Sequence, residues 1–202
     1  MKYFLFDIGK VLVDFDFQEL YRLHAEHSGK PMVPFSGRDL EMRDTVESGH
    51  IGDEEWLKYL NKAKGLDWSM DDLVGIWSEM FTLNETGCGF FAKAQRDPAV
   101  SVHTLSNIAK HHIDAIENNW NGFFDRADGL FLSYQIGVRK PDPGIYRHAL
   151  GRLGAEPGQC FFIDDLPENV EAARALGIQA HQFIPENHAG IARFAAAFFG
   201  WE

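Results

Sequence analysis

Five short apolar runs, separated by stretches with helical spacing, constrain the fold of this chain more than any other feature. The runs cover residues 3–6, 100–105, 129–132, 160–163 and 178–183. The runs at residues 3–6, 129–132 and 160–163 are apolar throughout, as expected for strands that are covered on both faces, and the other two runs mix apolar with polar residues. Helical patterns lie between most of them, at residues 108–120, 145–153 and 169–176. Strands that alternate with helices predict an α/β fold, with a doubly wound parallel sheet and right-handed crossovers.

One connection in this pattern is much longer than the others. More than 90 residues separate the first predicted strand from the second, which is several times the length of an ordinary crossover. Within this connection, apolar residues recur at helical spacing from Phe17, from Trp56 and from Leu73 onward. We therefore predict a small helical cap at residues 15–90, inserted after strand 1, with residues 1–14 and 91–202 forming the α/β core.

The predicted strands are followed by residues that can take part in chemistry. In chain order these are Asp7, Ser106, Asn107, Lys140, Asp164 and Asp165. Ligands of open α/β sheets bind beyond the carboxyl ends of the strands, so these residues are expected to meet there. Each of them has an ordinary alternative as a turn, helix-cap or loop residue. The adjacent pair Asp164 and Asp165 is the hardest to explain in that way, because like charges repel without a cation between them.

The charges of this predicted cluster indicate which cation would bind. If Asp7, Asp164 and Asp165 all ionise, one Mg²⁺ together with the Lys140 ammonium would neutralise them. Carboxylate oxygens suit Mg²⁺, whereas zinc would favour histidine or cysteine ligands. With Mg²⁺ on a phosphoryl oxygen, Asp7 could attack the phosphorus and form an aspartyl-phosphate.

Other groups of the cluster could bind the phosphoryl oxygens. The candidates are the side chains of Ser106 and Asn107 and the backbone N–H groups that follow Asp7, those of Ile8 and Gly9. Lys140 would balance the negative charge of these oxygens.

Four sequence motifs make a family resemblance specific. FDIGKV, LSN, KPDP and FIDDLPEN occur in this order, and they resemble the four motifs of the haloacid dehalogenase-like superfamily. Together with the cap, the resemblance spans essentially the whole chain. Within the superfamily the chain is similar to small sugar-phosphate phosphatases related to bacterial glucose-1-phosphatase. The resemblance implies a Rossmann-like core, with Asp7 as nucleophile and metal ligand. It also implies that the Gly9 carbonyl is a second metal ligand and that Asp165, supported by Asp164, completes the Mg²⁺ site.

The same resemblance assigns the remaining motif residues. It implies that Ser106 and Asn107 bind phosphate, and that Lys140 steadies the nucleophile and the transferring phosphoryl group. One position departs from the pattern: most phosphatases of the superfamily carry a second aspartate two residues after the nucleophile, and this chain has Gly9 there. That aspartate is the usual general acid and base.

The glycine has a consequence for rate. A positioned acid–base group contributes about 10² to 10⁴ in rate, so its loss should slow an enzyme without stopping it. Lys10, Asp14, Glu47 or water could handle the proton instead. We expect Gly9→Asp to be tolerated and to be able to raise turnover.

The predicted function is therefore a Mg²⁺-dependent phosphatase of a small phosphorylated metabolite, with a sugar phosphate favoured. A 2-haloacid dehalogenase is one alternative, although that branch carries an aromatic residue and then Gly-Thr after its nucleophile, unlike Ile8, Gly9 and Lys10. A catalytically weak phosphate-binding or regulatory module is another, because Gly9 replaces the usual acid.

The net charge and the lengths of the apolar runs limit which partners this chain can bind. The formal net charge is −11, from 19 Lys and Arg against 30 Asp and Glu, so no basic face is expected for nucleic acid. No apolar run approaches the length of a membrane span, and Asp7 interrupts the first run too early for a secretory signal. We expect a soluble cytoplasmic protein with no nucleic-acid or membrane partner.

The cap is expected to select the substrate, with Arg43, Glu47, Trp56 and Trp77 as candidate contacts. Arg43 and Glu47 lie four residues apart, so on one helix they could instead pair with each other. The segment GCGFFA at residues 87–92 matches a dinucleotide-binding fingerprint but does not follow a strand. We interpret it as a hinge between cap and core.

Overall fold

The computed structural model describes the whole chain apart from the side chain of His27. The strands, in chain order, are β1 (Lys2–Phe6), β2 (Val13–Asp14), β3 (Thr82–Leu83), β4 (Val100–Ser106), β5 (Gly129–Leu132), β6 (Cys160–Asp164) and β7 (Gln179–Gln182). The main sheet has the order β5-β4-β1-β6-β7, and all its pairings are parallel. Each of the predicted strands overlaps one strand of this sheet, with ends that differ by at most one residue. The predicted α/β fold is confirmed.

Helices cover both faces of the sheet and build the cap. They are α1 (Phe17–Ser28), α2 (Gly37–Glu47), α3 (Asp53–Lys64), α4 (Met70–Met80), α5 (Glu85–Gln95), α6 (Lys110–Asn119), α7 (Ser133–Ile136), α8 (Pro143–Leu153), α9 (Pro167–Ala175) and α10 (His188–Phe199). The three helices predicted after the second strand correspond to α6, α8 and α9.

The central strand β1 is buried on both faces, which explains its continuous apolar sequence. Phe4 and Phe6 pack into one apolar cluster, which includes Phe91 of α5 and Phe199 of α10. Leu5 points to the opposite face, into a separate cluster around α8. Full burial of such side chains stabilises the fold by about 1.5–3 kcal/mol each. The strand that carries Asp7 at its end is thus held on both sides.

The long connection after β1 contains α1 to α4. The chain enters it along β2 and leaves it along β3, and these two strands pair antiparallel, Val13 with Leu83 and Asp14 with Thr82. Asn84 Nδ2 also donates to Asp14 Oδ2 at 3.0 Å. The two segments that connect the core with the cap therefore hold each other in place.

Two local predictions for this connection differ from the structure. Helix α2 was not expected, because its sequence GRDLEMRDTVE has no regular apolar stripe. Its start is fixed instead by Asp39 Oδ2, which accepts the Ser36 hydroxyl at 2.8 Å. The interpretation of residues 87–92 as a hinge is wrong, because this segment lies inside α5. Residue 90, the predicted end of the cap, lies in the same helix.

Close packing explains the glycine at the start of α5. A Cβ at Gly87 would lie 1.6 Å from the carbonyl oxygen of Val11, so a larger residue cannot be accommodated. Phe91, one turn further along, contacts the ring of Phe6 at a centroid distance of 5.2 Å. The glycine thus lets the helix approach the loop that follows Asp7.

Across the described residues, no helix combines the length and the apolar character that a membrane crossing requires.

Candidate active site

The sheet order brings the ends of three strands together. Strand β1 lies between β4 and β6, and Phe6 is in register with Thr104 on one side and with Ile163 on the other. Asp7 comes directly after Phe6 and Asp164 directly after Ile163, and Ser106 lies two residues after Thr104 at the end of β4. These three predicted site residues therefore meet at one edge of the sheet, and all three are buried.

Asp7 is held through one carboxylate oxygen. Its Oδ1 accepts the Ser106 hydroxyl at 2.7 Å and the backbone N–H of Ile8 at 2.7 Å. The Nζ of Lys140 lies 3.0 Å from the same oxygen. These contacts fix the orientation of the carboxylate, and its other oxygen, Oδ2, makes no hydrogen bond to the described part of the chain.

Lys140 is buried between two carboxylates. In addition to Asp7, its Nζ donates to Asp164 Oδ2 at 2.5 Å and to the Leu105 carbonyl at 2.8 Å. Burial lowers the pKa of Lys140, but the neighbouring Asp164 and Asp7 outweigh it, and the net pKa is raised. Lys140 is therefore a fixed positive charge at the site.

The carboxylates nevertheless hold more negative charge than Lys140 balances. Burial raises the pKa of Asp7 to about 7; Asp164 and Asp165 add to the increase, whereas Lys140 opposes it. Burial and the adjacent Asp164 likewise raise the pKa of Asp165 to about 6. A further positive charge close to these groups would lower both pKa values and favour the ionised forms.

The geometry of the cluster fits a single hard cation. One carboxylate oxygen from each of Asp7, Asp164 and Asp165 lies within 4.8 Å of the others. Mg²⁺ bonds oxygen ligands at about 2.0–2.1 Å, so oxygens on one ion are at most about 4.2 Å apart. Small side-chain rotations would bring this donor set to that spacing.

The two adjacent aspartates have different surroundings. Asp164 uses both oxygens within the protein: Oδ2 contacts Lys140, and Oδ1 accepts from Leu166 N and from Asn169 Nδ2, each at 2.9 Å. Leu166 is the N-cap of α9, and Pro167 opens that helix. Asp164 therefore organises Lys140 and the start of α9, while Asp165 is half-buried at the site.

The side chain of Asn107 contacts the backbone of Lys140. Its Nδ2 donates to the Lys140 carbonyl at 2.8 Å, and its Oδ1 accepts the Lys140 N–H at 2.7 Å. Asn107 also lines the cavity beside Ser106. The phosphate contact expected from the sequence for this residue stays a prediction.

Phe15 fills the space beside Gly9. A Cβ at Gly9 would lie 3.1 Å from the ring carbon Cε1 of Phe15. That ring also packs against Phe17, Trp77 and Phe81, with centroid distances of 5.7, 6.1 and 6.2 Å. Glycine at this position therefore makes room for an aromatic residue of the segment that leads into the cap.

Sequence reasoning missed an ion-pair network that joins the cap to the loop before Lys140. Arg139 contacts Asp44 Oδ1 and Glu47 Oε2 of α2, each at 2.8 Å. Burial raises the pKa of Glu47, although Arg139 and Arg43 oppose the shift. Arg43 Nε lies 3.8 Å from Glu47 Oε1, so the pairing considered for these two residues is present. The signal for this network in the sequence is that Arg139 directly precedes the site residue Lys140.

A cavity of about 640 Å³ extends from the carboxylate cluster into the cap. Asp7, Ser106 and Lys140 line its inner end, and the candidate cap residues Trp56 and Trp77 line its other part. The predicted cap contacts and the predicted site residues thus share one cavity.

Comparison with known proteins agrees with this geometry. The family model described as haloacid dehalogenase-like hydrolase matches residues 1–177. The chain belongs to this family. The sequence-based family assignment and the expectation of a hydrolase are therefore confirmed.

Individual relatives cover different shares of the chain. The D-ribitol-5-phosphate phosphatase of Bacteroides thetaiotaomicron is 24% identical over 198 residues, 94% of each chain. The sesquiterpene phosphatase astK of Aspergillus oryzae is 35% identical over 82 residues, which span 39% of this chain and 40% of astK. Among solved structures, the family enzyme BT-2542 of Bacteroides thetaiotaomicron, in complex with magnesium and inorganic phosphate, has a TM-score of 0.73 at 21% identity, covering 90% and 93% of the two chains.

Proposed function

We propose that this protein is a Mg²⁺-dependent phosphatase that hydrolyses a small phosphorylated metabolite through an aspartyl-phosphate on Asp7. The observation that carries the proposal is the placement of Asp7 Oδ1 between Ser106 and Lys140, inside a cavity that a second carboxylate, Asp165, also reaches. One pocket therefore holds a nucleophile, Asp7, a cationic side chain, Lys140, and a candidate metal ligand, Asp165.

Each site residue has a separate role in the proposed reaction. Asp7 attacks phosphorus, and the bond from phosphorus to the leaving oxygen breaks with its electron pair on that oxygen. With substrate bound, the donors of Ser106 and of the backbone after Asp7 turn from Asp7 Oδ1 to the phosphoryl oxygens, and the Lys140 ammonium offsets the charge of these oxygens. Water then attacks the phosphorus of the aspartyl-phosphate, which releases inorganic phosphate and restores the carboxylate.

The carboxylates of Asp7 and Asp165, with the Gly9 carbonyl, would hold the Mg²⁺. When bound, the ion supplies positive charge against the phosphoryl oxygens and against the two carboxylates whose pKa values the site raises. Magnesium and phosphate in the related BT-2542 structure support this assignment.

Water supplies the proton to the leaving oxygen in this proposal, because the three side chains considered as replacements are engaged elsewhere. Lys10 Nζ donates to the Phe15 carbonyl. Asp14 accepts from Asn84, and Glu47 pairs with Arg139.

Two kinds of substrate have support. The sequence resemblance favours a sugar phosphate, and the ribitol phosphate named in one relative has that character. The name of the astK relative points instead to phosphates of sesquiterpenes. Both are small phosphomonoesters, and the same catalytic residues would serve either.

A phosphate-release assay tests the proposed reaction. We expect the purified protein to hydrolyse p-nitrophenyl phosphate with Mg²⁺ and to stop when EDTA is added. Asp7→Asn should be folded and inactive, because an amide is not a nucleophile at phosphorus. Asp71→Asn, at an exposed position of α4, is the matched control and should keep its activity. A folded Asp7→Asn variant with normal turnover would contradict the proposal.

Isotope labelling separates the phosphatase from the dehalogenase alternative. In H₂¹⁸O, attack of water on phosphorus places the label in released phosphate, whereas hydrolysis of an alkyl-aspartyl ester at its carbonyl carbon would place it in Asp7. We expect labelled phosphate and an unlabelled peptide around Asp7. Chloride release from 2-chloropropionate with a labelled Asp7 would favour the dehalogenase instead. Inactivity toward phosphoesters and haloacids alike would favour the binding module.

A further inference from the structure

The cap half of the cavity has an aromatic wall. Phe15, Phe17, Phe35, Trp77 and Phe81 all line it. Their rings contact one another, with centroid distances of 5.9 Å between Phe17 and Phe35 and 5.2 Å between Trp77 and Phe81. A hydroxyl group buried against such a wall loses its hydrogen bonds to water without replacement, whereas apolar carbon gains by leaving water. The wall therefore suits an apolar leaving group.

The size of the cavity leaves room for such a group. Its volume is about 640 Å³, within the range of pockets that hold ligands much larger than a phosphate ion. Because Asp7 and Lys140 line the inner end of the same cavity, a phosphoryl group placed on Asp7 would leave the aromatic part for the organic portion of the ester.

Two histidines in the first turn of α6 add polar atoms to this apolar part. His111 and His112 both line the cavity, with 1% and 8% of their surface exposed. His111 Nδ1 lies 2.9 Å from Asp53 Oδ1. In the described part of the chain, the Nε2 atoms of both rings have no hydrogen-bond partner. A buried polar atom of this kind needs a partner, which a ligand in the cavity can supply.

A hydrogen bond of the His112 ring shows which ring nitrogen carries the proton. Its Nδ1 accepts the backbone N–H of Ala109 at 3.3 Å, so the ring proton lies on Nε2 and that atom is a donor. Burial, followed by the neighbouring His111 and Arg43, lowers the pKa of His112 well below its usual value. The ring is therefore neutral and carries a single N–H, on Nε2.

His112 is also fixed relative to the aromatic wall. Its ring meets Trp77 edge-on, with a centroid distance of 4.2 Å. A ligand that lies against Trp77 would thus lie close to the His112 ring.

We propose that the substrate is a phosphomonoester of a large apolar alcohol or phenol, whose carbon skeleton fills the aromatic part of the cavity and whose additional oxygen accepts a hydrogen bond from His112 Nε2. This inference rests on the proposed phosphatase function and specifies its leaving group. Sugar phosphates gain less from this wall, because hydroxyl groups that face it would meet aromatic carbon.

The first experiment compares leaving groups with Mg²⁺ present. Its probes are 2-naphthyl phosphate, geranyl phosphate, glucose 1-phosphate and ribitol 5-phosphate, with p-nitrophenyl phosphate as the reference for activity. We expect kcat/KM for the two apolar esters to exceed that for the sugar phosphates at least tenfold. Sugar phosphates that equal or exceed the apolar esters would overturn this inference while leaving the phosphatase function intact. Inactivity toward every ester, the reference included, would overturn both.

The second experiment tests the hydrogen bond from His112. The set of hydroxy-2-naphthyl phosphates is compared with 2-naphthyl phosphate, and the readout is the ratio of their kcat/KM values. In the wild type we expect at least one isomer to be preferred about fivefold to tenfold, mainly through a lower KM. His112→Leu should reduce this ratio to about one, and His112→Gln, whose amide N–H can replace the donor, should restore part of it.

A control and an opposing outcome complete the test. His148→Leu changes an exposed histidine on α8 that does not line the cavity and should keep the wild-type ratio. Because each ratio is internal to one variant, a loss of folded protein does not imitate the effect. If no isomer is preferred by the wild type, or if His112→Leu keeps the preference, the assigned hydrogen bond is wrong.

Discussion

At the scale of single residues, neighbours of the same type have different roles. Asp164 and Asp165 are adjacent and chemically identical, yet Asp164 is fully buried and bonded to Lys140, Leu166 and Asn169. Asp165 is only half-buried and has its pKa raised to about 6, chiefly by burial. One aspartate therefore supports the structure, and the other is left for a cation.

This difference gives a prediction on stability. In metal-free buffer at pH 7.5, Asp164→Asn should lower the free energy of unfolding by about 1–3 kcal/mol, because it removes one of the two carboxylate partners of the buried Lys140 and leaves Asp7 as the other. Asp165→Asn should leave the stability unchanged or raise it. A raised folded pKa means that stability is present below the unfolded value of about 3.9 and is lost as the pH rises through about 6. At pH 7.5 the substitution replaces the ionised carboxylate with a neutral amide, so this loss of stability no longer occurs. Urea denaturation of the two variants checks this, and equal destabilisation would contradict it.

Gly9 leads to a second prediction, which revises the expectation from sequence. A side chain there must displace the Phe15 ring, since its Cβ would lie 3.1 Å from Cε1. We now expect Gly9→Asp to cost about 1–3 kcal/mol of stability through overpacking. Combining it with Phe15→Leu should recover most of that loss and is the better background in which to look for faster turnover. A Gly9→Asp variant as stable as the wild type would show that the ring moves freely.

At the scale of secondary-structure elements, the attachment of the cap depends on a few polar contacts. Helix α2 has no regular apolar stripe, and Arg139 of the core contacts its Asp44 and Glu47. Since Arg139 precedes Lys140 in the chain, the position of α2 is connected to the active-site loop.

We predict that Glu47→Ala weakens this attachment. The change leaves Arg139, whose side chain is 19% exposed, with a missing partner, and should lower the free energy of unfolding by about 1–3 kcal/mol. KM for p-nitrophenyl phosphate should rise as well. Glu41→Ala on the same helix is the matched control, because its contact with Arg38 is 3.6 Å long and both side chains are 72% exposed. Equal effects of the two substitutions would contradict a specific role for Glu47.

At the scale of the whole molecule, the candidate metal site links the two ends of the sequence. Asp7 follows the first strand of the main sheet, whereas Asp165 follows β6, and the adjacent positions of β1 and β6 bring them together. A cation held by both should therefore stabilise the complete fold.

We expect Mg²⁺ to raise the melting temperature. At a hundredfold excess over its dissociation constant, a ligand adds about 2.7 kcal/mol, which is about 5–10 °C for a domain of this size. Thermal denaturation with and without Mg²⁺ measures the shift. Asp165→Asn should remove most of it, and the exposed control Asp71→Asn should retain it. A shift that survives in Asp165→Asn would place the ion elsewhere.

Much of the architecture follows from the sequence alone. The strands of the sheet were predicted to within one residue at each end, because burial on both faces leaves a local, continuous apolar signal. The meeting of Asp7, Ser106 and Asp164 at one sheet edge was predicted as well, since parallel strands have their carboxyl ends on the same side. These features depend on local sequence and on strand direction.

The tertiary structure alone decided which partner each side chain has. Asn107 holds the backbone of Lys140, Phe15 occupies the space beside Gly9, and Arg139 pairs with Glu47 of the cap. His112 lies beside Trp77 in the cavity. Except for Phe15 and Gly9, these pairs are far apart in the chain. Such contacts leave no periodic pattern in a sequence, because they form only when separate elements pack against one another.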